Sequence, residues 1–129
     1  MTDPIADMLI RIKNAQAVLH PSVEMPYSNL KYRLANILLE NNFIKAVEKK
    51  QNKIYKTIKI VLKYEDKEPV IQELRRVSKP GRRIYTQAKN IRSPRGGRGI
   101  VVISTPDGLM NGQEARKRKL GGEIICELW

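Results

Sequence analysis

The sequence predicts an α+β protein made of two small lobes. Within the first 42 residues, apolar side chains recur at helical spacing in two stretches. Beyond them, apolar residues alternate with polar ones or run together in short segments, which is typical of strands. A charged segment containing proline, Glu65–Pro69, has no core pattern and separates the two sets of elements. We therefore expect an N-terminal α+β lobe at residues 1–66 and a β-rich C-terminal lobe at residues 67–129.

Two helices are predicted in the N-terminal lobe. The first begins at Asp3-Pro4, because Asp accepts from free backbone N–H groups and Pro loses no hydrogen bond at the first helical position. The second begins after Ser28 and ends at Asn41-Asn42, since Asn tolerates the left-handed conformation found at helix ends. The expected core faces are Ile5, Met8, Leu9 and Ile12 for the first helix, and Leu30, Leu34, Ile37 and Leu38 for the second, with Lys31, Arg33 and Glu40 on its outer side.

Short strands are predicted between and after these helices. An extended segment is expected at Val23–Met25, a strand at Phe43–Glu48 and an alternating strand at Ile54–Tyr64, with Lys49–Lys53 as a polar turn. In the C-terminal lobe the predicted strands are Val70–Val77, Ile84–Tyr85, the buried Ile100–Ile103 and the closing Glu123–Trp129. One short helix follows Asn111, with Glu114 as its capping partner. This pattern makes the C-terminal lobe mostly antiparallel β structure.

The charge distribution points to a polyanionic partner. The formal net charge of the 129-residue chain is +12, and nine Arg or Lys residues lie between Arg75 and Arg98 without one Asp or Glu. Such a run gains nothing from folding, whereas docking on phosphates releases condensed counterions. A solvated basic loop is the alternative interpretation. We expect no membrane partner, because the sequence has no apolar run near the length of a span.

Catalysis and cofactor binding have little support in the sequence. The single histidine, His20, and the single cysteine, Cys126, form no motif, so a Cys–His nucleophile would need both to meet in space. Gly96-Gly97-Arg98-Gly99 precedes a strand, unlike a phosphate-binding loop. We expect no catalytic residue, metal, cofactor or small-molecule substrate. The lone cysteine also fits a reducing, cytoplasmic setting.

Three features have both a structural and a ligand-binding interpretation. Ser104–Gly108 follows a buried strand, so its hydroxyls either satisfy the turn or contact phosphates and ribose 2′-OH groups. Arg116–Lys119 carries more cations than a helix dipole favours, so some are expected to reach a ligand. Tyr85 either stacks on an unpaired base or packs as an ordinary strand residue.

Motifs of one known family extend over the chain. They are DPIADMLIRIKNA at Asp3–Ala15, RRVSKPGRRIY at Arg75–Tyr85, and a C-terminal block from Ser104 through Gly121-Gly122-Glu123 to Trp129. With these motifs in order over its length, the sequence resembles the S-eight family of small-subunit ribosomal proteins. Two positions depart from the family pattern: Pro106 stands where Ser is usual, and Arg82 stands where an apolar residue is usual.

The resemblance implies a fold, a partner and a site. It implies two packed lobes that bind the central domain of small-subunit ribosomal RNA early in assembly, beside neighbouring small-subunit ribosomal proteins. A cytoplasmic or organellar ribosome fits, as does repression of the protein's own message. The Ser-Thr loop is expected to enter an irregular RNA helix, while basic side chains neutralise phosphates. The expected RNA-binding residues are Arg11, Lys31, Arg76, Lys79, Arg82, Arg83, Tyr85, Arg92, Arg95, Ser104, Thr105, Pro106, Gly108, Arg116, Gly121, Gly122 and Glu123.

Two rival functions remain to be separated from this one. A DNA-binding protein shares the charge but needs a recognition helix with base-reading side chains, and the second helix offers Lys31, Arg33 and Asn36. A small RNA-processing enzyme needs a general base or a metal site, for which His20 and Cys126 are the available groups.

Overall fold

The computed structural model describes residues 3–129 and has an α+β fold. Contacts divide the chain into two compact units: Pro4–Ile71, called here the N-terminal unit, and Gln72–Trp129 with Asp3, called the C-terminal unit. The division lies after residue 71 rather than at the expected position after residue 66. The reason is that the charged segment folds as a small antiparallel hairpin of Tyr64–Glu65 (β4) and Glu68–Pro69 (β5).

The N-terminal unit contains both predicted helices and a three-stranded antiparallel sheet. The helices are Pro4–Ala17 (α1) and Asn29–Glu40 (α2), and the strands are Ser22–Pro26 (β1), Ile44–Gln51 (β2) and Lys56–Leu62 (β3), in the order β1-β3-β2. The predicted cap of α2 is confirmed: the Ser28 hydroxyl accepts from the backbone N–H of Lys31 at 3.1 Å. The expected left-handed residue at its end is Asn42, with φ of 64°.

Three predictions in this unit are wrong. Lys31 is buried rather than on the outer side of α2, and Leu30 is 42% exposed rather than in the core. Lys31 precedes Leu34 and Ala35 by three and four positions, so it shares their buried helix face. The segment expected as a turn is also largely strand, because β2 continues through Lys49 and Lys50 to pair with β3.

The C-terminal unit is an antiparallel sheet with one short helix. Its elements are Leu74–Arg76 (β6), Tyr85–Thr86 (β7), Ile100–Thr105 (β8), Gly108–Asn111 (β9), Gly112–Lys117 (α3) and Gly122–Leu128 (β10). The strand order is β6-β10-β8-β9, and β7 also pairs with β10. A core cluster forms from Ile91, Val101, Ile103, Met110 and Ala115. The predicted buried strand at Ile100–Ile103 is confirmed, whereas the predicted first strand is shorter and β9 was not predicted.

Local signals account for α3. The side chain of Asn111 caps the helix by accepting from the backbone N–H of Gln113 at 3.1 Å. The expected capping role of Glu114 is replaced by an ion pair with Arg118, at 2.7 Å between Oε1 and Nε. Among residues 3–129, no helix is long and apolar enough to cross a membrane.

Candidate nucleic-acid interface

Strand β10 brings together three of the predicted site residues. Glu123 pairs with Tyr85 of β7 on one side and with Ser104 of β8 on the other. Directly opposed residues of antiparallel strands project to the same face of a sheet, so the three side chains form one row, called here the Tyr85–Glu123–Ser104 row. Tyr85 is 69% exposed, which favours its stacking role over ordinary packing. The row offers an aromatic face, a carboxylate and a hydroxyl side by side.

Close backbone packing explains the two glycines before Glu123. A Cβ at Gly122 would overlap the Ser104 carbonyl oxygen, and a Cβ at Gly121 would lie 2.5 Å from the Thr86 carbonyl oxygen. Real Cβ atoms do not approach that closely. The glycines therefore let β10 fit between β7 and β8, which fixes the row, and their expected contribution to RNA binding is through this positioning.

The turn between β8 and β9 is closed by Thr105. Its hydroxyl donates to the Gly108 carbonyl at 2.8 Å and accepts from the Asp107 backbone N–H at 3.1 Å, and the residue is buried. Gly108 has φ of 109°, a conformation that favours glycine. Thr105 thus follows the structural alternative, in which the hydroxyl satisfies the turn. Ser104 is half-buried, and Pro106 at the tip of the turn is exposed.

A second rigid turn lies before β7. Lys79 and Arg82 exchange backbone hydrogen bonds of 2.9 and 3.0 Å across Pro80-Gly81, which closes a tight turn. Both side chains extend from this turn and are exposed. The Ser78 hydroxyl is fully buried, accepts from the Ile84 N–H at 2.8 Å and donates to the Ile84 carbonyl at 3.1 Å. This clamp ties the basic turn to β7 and thus to Tyr85.

Acidic residues far away in sequence neutralise part of the basic run. Arg83 Nη1 lies 3.1 Å from Glu123 Oε2, and Arg75 Nη1 lies 3.1 Å from Glu127 Oε1. The ion pair links Arg83, a predicted RNA-binding cation, to Glu123 at the centre of the Tyr85–Glu123–Ser104 row. The expectation that the run gains nothing from folding is therefore corrected, because β10 supplies carboxylates that are distant in sequence.

Arg76, another predicted site residue, is engaged by groups of the protein itself. Its Nε lies 3.1 Å from Asp3 Oδ2, its Nη1 donates to the Ile125 carbonyl at 2.6 Å, and its side chain is 11% exposed. A guanidinium so engaged is a structural ion pair rather than a phosphate contact. Lys31 is likewise withdrawn from the site, since it is only 6% exposed and burial lowers the pKa of its ammonium group, an effect that Asp7 partly offsets.

Other predicted cations lie on the surface. Arg92 and Arg116 both donate to the Ile91 carbonyl, at 3.2 and 3.4 Å, so their guanidinium groups converge. Arg95 lies over the indole ring of Trp129 at 4.9 Å from the ring centre. In the N-terminal unit, Arg11 is exposed and pairs with Asp7 at 2.9 Å.

Two structural contributors were missed at the level of sequence. Ser78 lies within the motif RRVSKPGRRIY, but its clamp requires the chain to return at Ile84. Trp129 lies under two cations, Arg75 at 5.1 Å and Arg95 at 4.9 Å. A lone C-terminal aromatic residue gave no local signal for that arrangement.

Cys126 does not offer a reactive nucleophile. Cys126 is fully buried, and burial raises the pKa of its thiol to about 12, so the nucleophilic thiolate is suppressed. Among residues 3–129, no three His, Cys, Asp or Glu side chains are arranged to hold a metal ion.

Comparison with known proteins agrees with the motif pattern. The family profile described as Ribosomal protein S8 matches residues 3–129. The chain is 48% identical over 129 residues to the small ribosomal subunit protein uS8 of Dictyoglomus turgidum, covering 100% of this chain and 98% of that protein. It is 50% identical over 130 residues to the uS8 protein of Caldanaerobacter subterraneus, and 47% identical over 129 residues to that of Clostridium novyi, with the same coverage.

Proposed function

Because the chain belongs to the ribosomal protein S8 family, we propose that it binds the central domain of small-subunit ribosomal RNA and aids its folding during subunit assembly. Its role in the ribosome is structural and not enzymatic. The proposal includes neighbouring small-subunit ribosomal proteins as partners, a cytoplasmic or organellar ribosome as location, and repression of its own message as a second use of the RNA site.

The observation that carries this proposal is the Tyr85–Glu123–Ser104 row, with basic turns beside it. Side chains cannot read the narrow major groove of A-form RNA, so recognition uses unpaired bases, 2′-OH groups and shape. A carboxylate repels phosphate, hence Glu123 marks a part of the surface suited to donors such as a 2′-OH or a base amino group. Tyr85 supplies a stacking surface, and the phosphates are left to the cations around the row.

The cations near the row have two expected roles: some neutralise RNA phosphates, and others hold neighbouring side chains in position. Lys79 and Arg82 on the tight turn are exposed and suited to phosphates. Arg83 is fixed by its ion pair with Glu123, which holds both groups in place before RNA arrives. Preorganised groups lose less conformational entropy on binding.

The DNA-binding alternative is disfavoured by the second helix. Of the three side chains considered for base reading, Lys31 is buried and Asn36 donates to the Tyr32 carbonyl at 2.9 Å. Of these three side chains, only Arg33 is exposed. One arginine does not provide the group of base contacts that a recognition helix requires.

The test compares two kinds of variant on two kinds of RNA. Ser104→Ala is expected to weaken binding to a central-domain RNA with an internal loop about tenfold, with little effect on random RNA, because a hydroxyl contact is lost. Arg82→Ala is expected to weaken both RNAs similarly, since it removes a phosphate contact. Ser93→Ala is the matched control, because Ser93 is half-buried and makes no side-chain cap hydrogen bond.

Filter binding or calorimetry at fixed salt measures these affinities. Equal binding of duplex DNA and the central-domain RNA by the native chain would refute the proposal. A Ser104→Ala variant that binds both RNAs with the same affinities as the Ser93→Ala control would also refute the proposal.

A further inference from the structure

The C-terminal unit contains a cavity of about 350 Å³ with a mainly apolar lining. Side chains of β6, β8 and β10 line it together with residues from the segment 86–92, which begins at the end of β7. Its apolar part belongs to the core cluster of this unit, in which Ile91 and Val101 are buried and Ile124 packs against them. Small-molecule sites in proteins have volumes of about 300–1,000 Å³ and mostly apolar walls. The cavity therefore has the size and the lining of such a site.

A β-bulge explains why the apolar lining continues to a charged end. On β10, Ile124 pairs with Ile103 and Glu127 pairs with Val101, while the register shifts between Ile124 and Cys126. Val101 and Ile103 are two positions apart on β8 and so share a face, and their opposed partners share it too. One extra residue in β10 thus places Ile124 and Glu127, three positions apart, on the face that lines the cavity.

The charged groups of the lining are not equally compensated. Arg75 Nη1 lies 3.1 Å from Glu127 Oε1, so these two charges offset each other. Arg92 Nη1 donates to the backbone carbonyls of Lys89 and Ile91, at 3.1 and 3.2 Å. Within the part of the chain that the structure describes, no carboxylate lies within ion-pair distance of Arg92. The cavity thus has a guanidinium charge that a bound anion can neutralise.

Arg92 determines the charge of a suitable ligand. Arg76 also lines the cavity, but its guanidinium pairs with Asp3 and donates to the Ile125 carbonyl. One uncompensated cation favours a ligand with one negative charge, because each further charge would lose water without gaining a partner. Arg92 is exposed, so its guanidinium is accessible to a ligand that arrives from solvent.

An aromatic carboxylate matches both the apolar and the charged part of the lining. Its ring would cover Val101 and Ile103, and the removal of this apolar surface from water supplies affinity. Its carboxylate would accept from Arg92, because a planar guanidinium forms two parallel hydrogen bonds with a carboxylate. A guanidinium also stacks on aromatic rings, an interaction that Arg75 already makes with Trp129 at 5.1 Å from the ring centre.

We propose that this cavity binds a small aromatic molecule with one negative charge, in which Arg92 holds the anionic group and the apolar lining holds the ring. The occupant is a free small molecule, because the lining combines one uncompensated cation with a volume suited to one ring system. The site shares no residue with the Tyr85–Glu123–Ser104 row. It goes beyond the proposed function, since neither its ligand nor its test includes RNA.

The experiment titrates the full chain, with isotope-labelled isoleucine methyl groups, with cinnamate and follows the methyl signals by NMR. Ile91, Ile103 and Ile124 are expected to shift together with a dissociation constant of about 1 mM, the affinity typical of a ligand of this size. Ile58 and Ile60 of the N-terminal unit are expected to stay unchanged. Cinnamyl alcohol, which has the same shape without the charge, is expected to bind about tenfold more weakly.

Two variants remove equal charge from the segment 86–92. Arg92→Gln is expected to weaken cinnamate binding about tenfold and to leave the binding of cinnamyl alcohol unchanged, because the lost hydrogen bonds reach the carboxylate alone. Lys89→Gln is the matched control and is expected to change neither, because Lys89 is exposed and does not line the cavity.

Unchanged signals of Ile91, Ile103 and Ile124 up to the solubility limit of cinnamate would overturn the ligand site in the native chain, without reliance on a variant. Equal binding of cinnamate and cinnamyl alcohol would overturn the anionic ligand and leave an apolar side chain of a partner protein as the occupant. Equal effects of Arg92→Gln and Lys89→Gln would overturn the role of Arg92. The RNA-binding result for Ser104→Ala is unaffected by any of these outcomes.

Discussion

Replacing Thr105 by valine tests whether its hydroxyl serves the turn or the RNA. The change keeps the shape of the side chain but removes two hydrogen bonds, one of 2.8 Å to the Gly108 carbonyl and one of 3.1 Å from the Asp107 N–H. Each is worth about 0.5–1.5 kcal/mol net, so the free energy of unfolding should fall by about 1–3 kcal/mol. At about 4 °C per kcal/mol for a chain of this size, Tm should fall by about 4–12 °C.

Thermal unfolding and amide hydrogen exchange measure this effect. The Asp107 amide is expected to exchange faster in Thr105→Val, because it loses its acceptor, and Thr105→Ser is expected to retain protection. Thr86→Val is the matched control, since the Thr86 hydroxyl makes a single bond to the Gln87 carbonyl at 3.1 Å in an exposed setting. A Thr105→Val variant as stable as the control, with unchanged Asp107 exchange, would refute the structural role of the hydroxyl.

Two further predictions concern the central strand of the C-terminal unit. Gly122→Ala should destabilise the chain by several kcal/mol and abolish specific RNA binding, because the added Cβ overlaps the Ser104 carbonyl. Gly81→Ala is the control and should have a small effect, because its Cβ meets no atom within 4 Å. Urea unfolding of the two variants measures the difference, and similar unfolding midpoints would contradict the prediction. Cys126 should react with iodoacetamide at pH 8 more than about a thousandfold slower than a free cysteine, because its pKa is about 12. Since that pKa lies above the ordinary 9.0, the stabilisation that comes from keeping the thiol neutral is fully present below pH 9 and is lost as the pH rises towards 12. Fast labelling of the folded protein at pH 8 would show that the raised pKa is incorrect.

Features fixed by local sequence were predictable. Pro4 and the Ser28 cap placed two helix starts, and the apolar run Ile100–Ile103 identified a buried strand. The errors arose where tertiary contacts outweigh local pattern. Lys31 was assigned to the outside by its charge, but its position relative to Leu34 places it on the buried face, where its long apolar stem can pack.

The candidate site was predictable as a set of residues but not as an arrangement. Tyr85, Ser104 and Glu123 each belong to a different strand, and no periodicity specifies the register that aligns them. The same register explains why the basic run can exist within a folded unit. Strand β10 carries Glu123 and Glu127 alongside Arg83 and Arg75, so it offsets part of the repulsion while assembling the row.

A carboxylate paired with an arginine beside the candidate RNA surface has a consequence for how the cations act. Arg83 is about half exposed, so its ion pair with Glu123 is screened by water and contributes at most about 1 kcal/mol to stability. Its main effect is therefore on geometry, because it limits where the guanidinium and the carboxylate can lie. Lysines on mobile side chains give affinity for any polyanion, whereas paired groups at fixed positions favour one RNA shape. Under the proposed function, we therefore expect specificity to depend on acids placed among the cations as much as on the excess of positive charge.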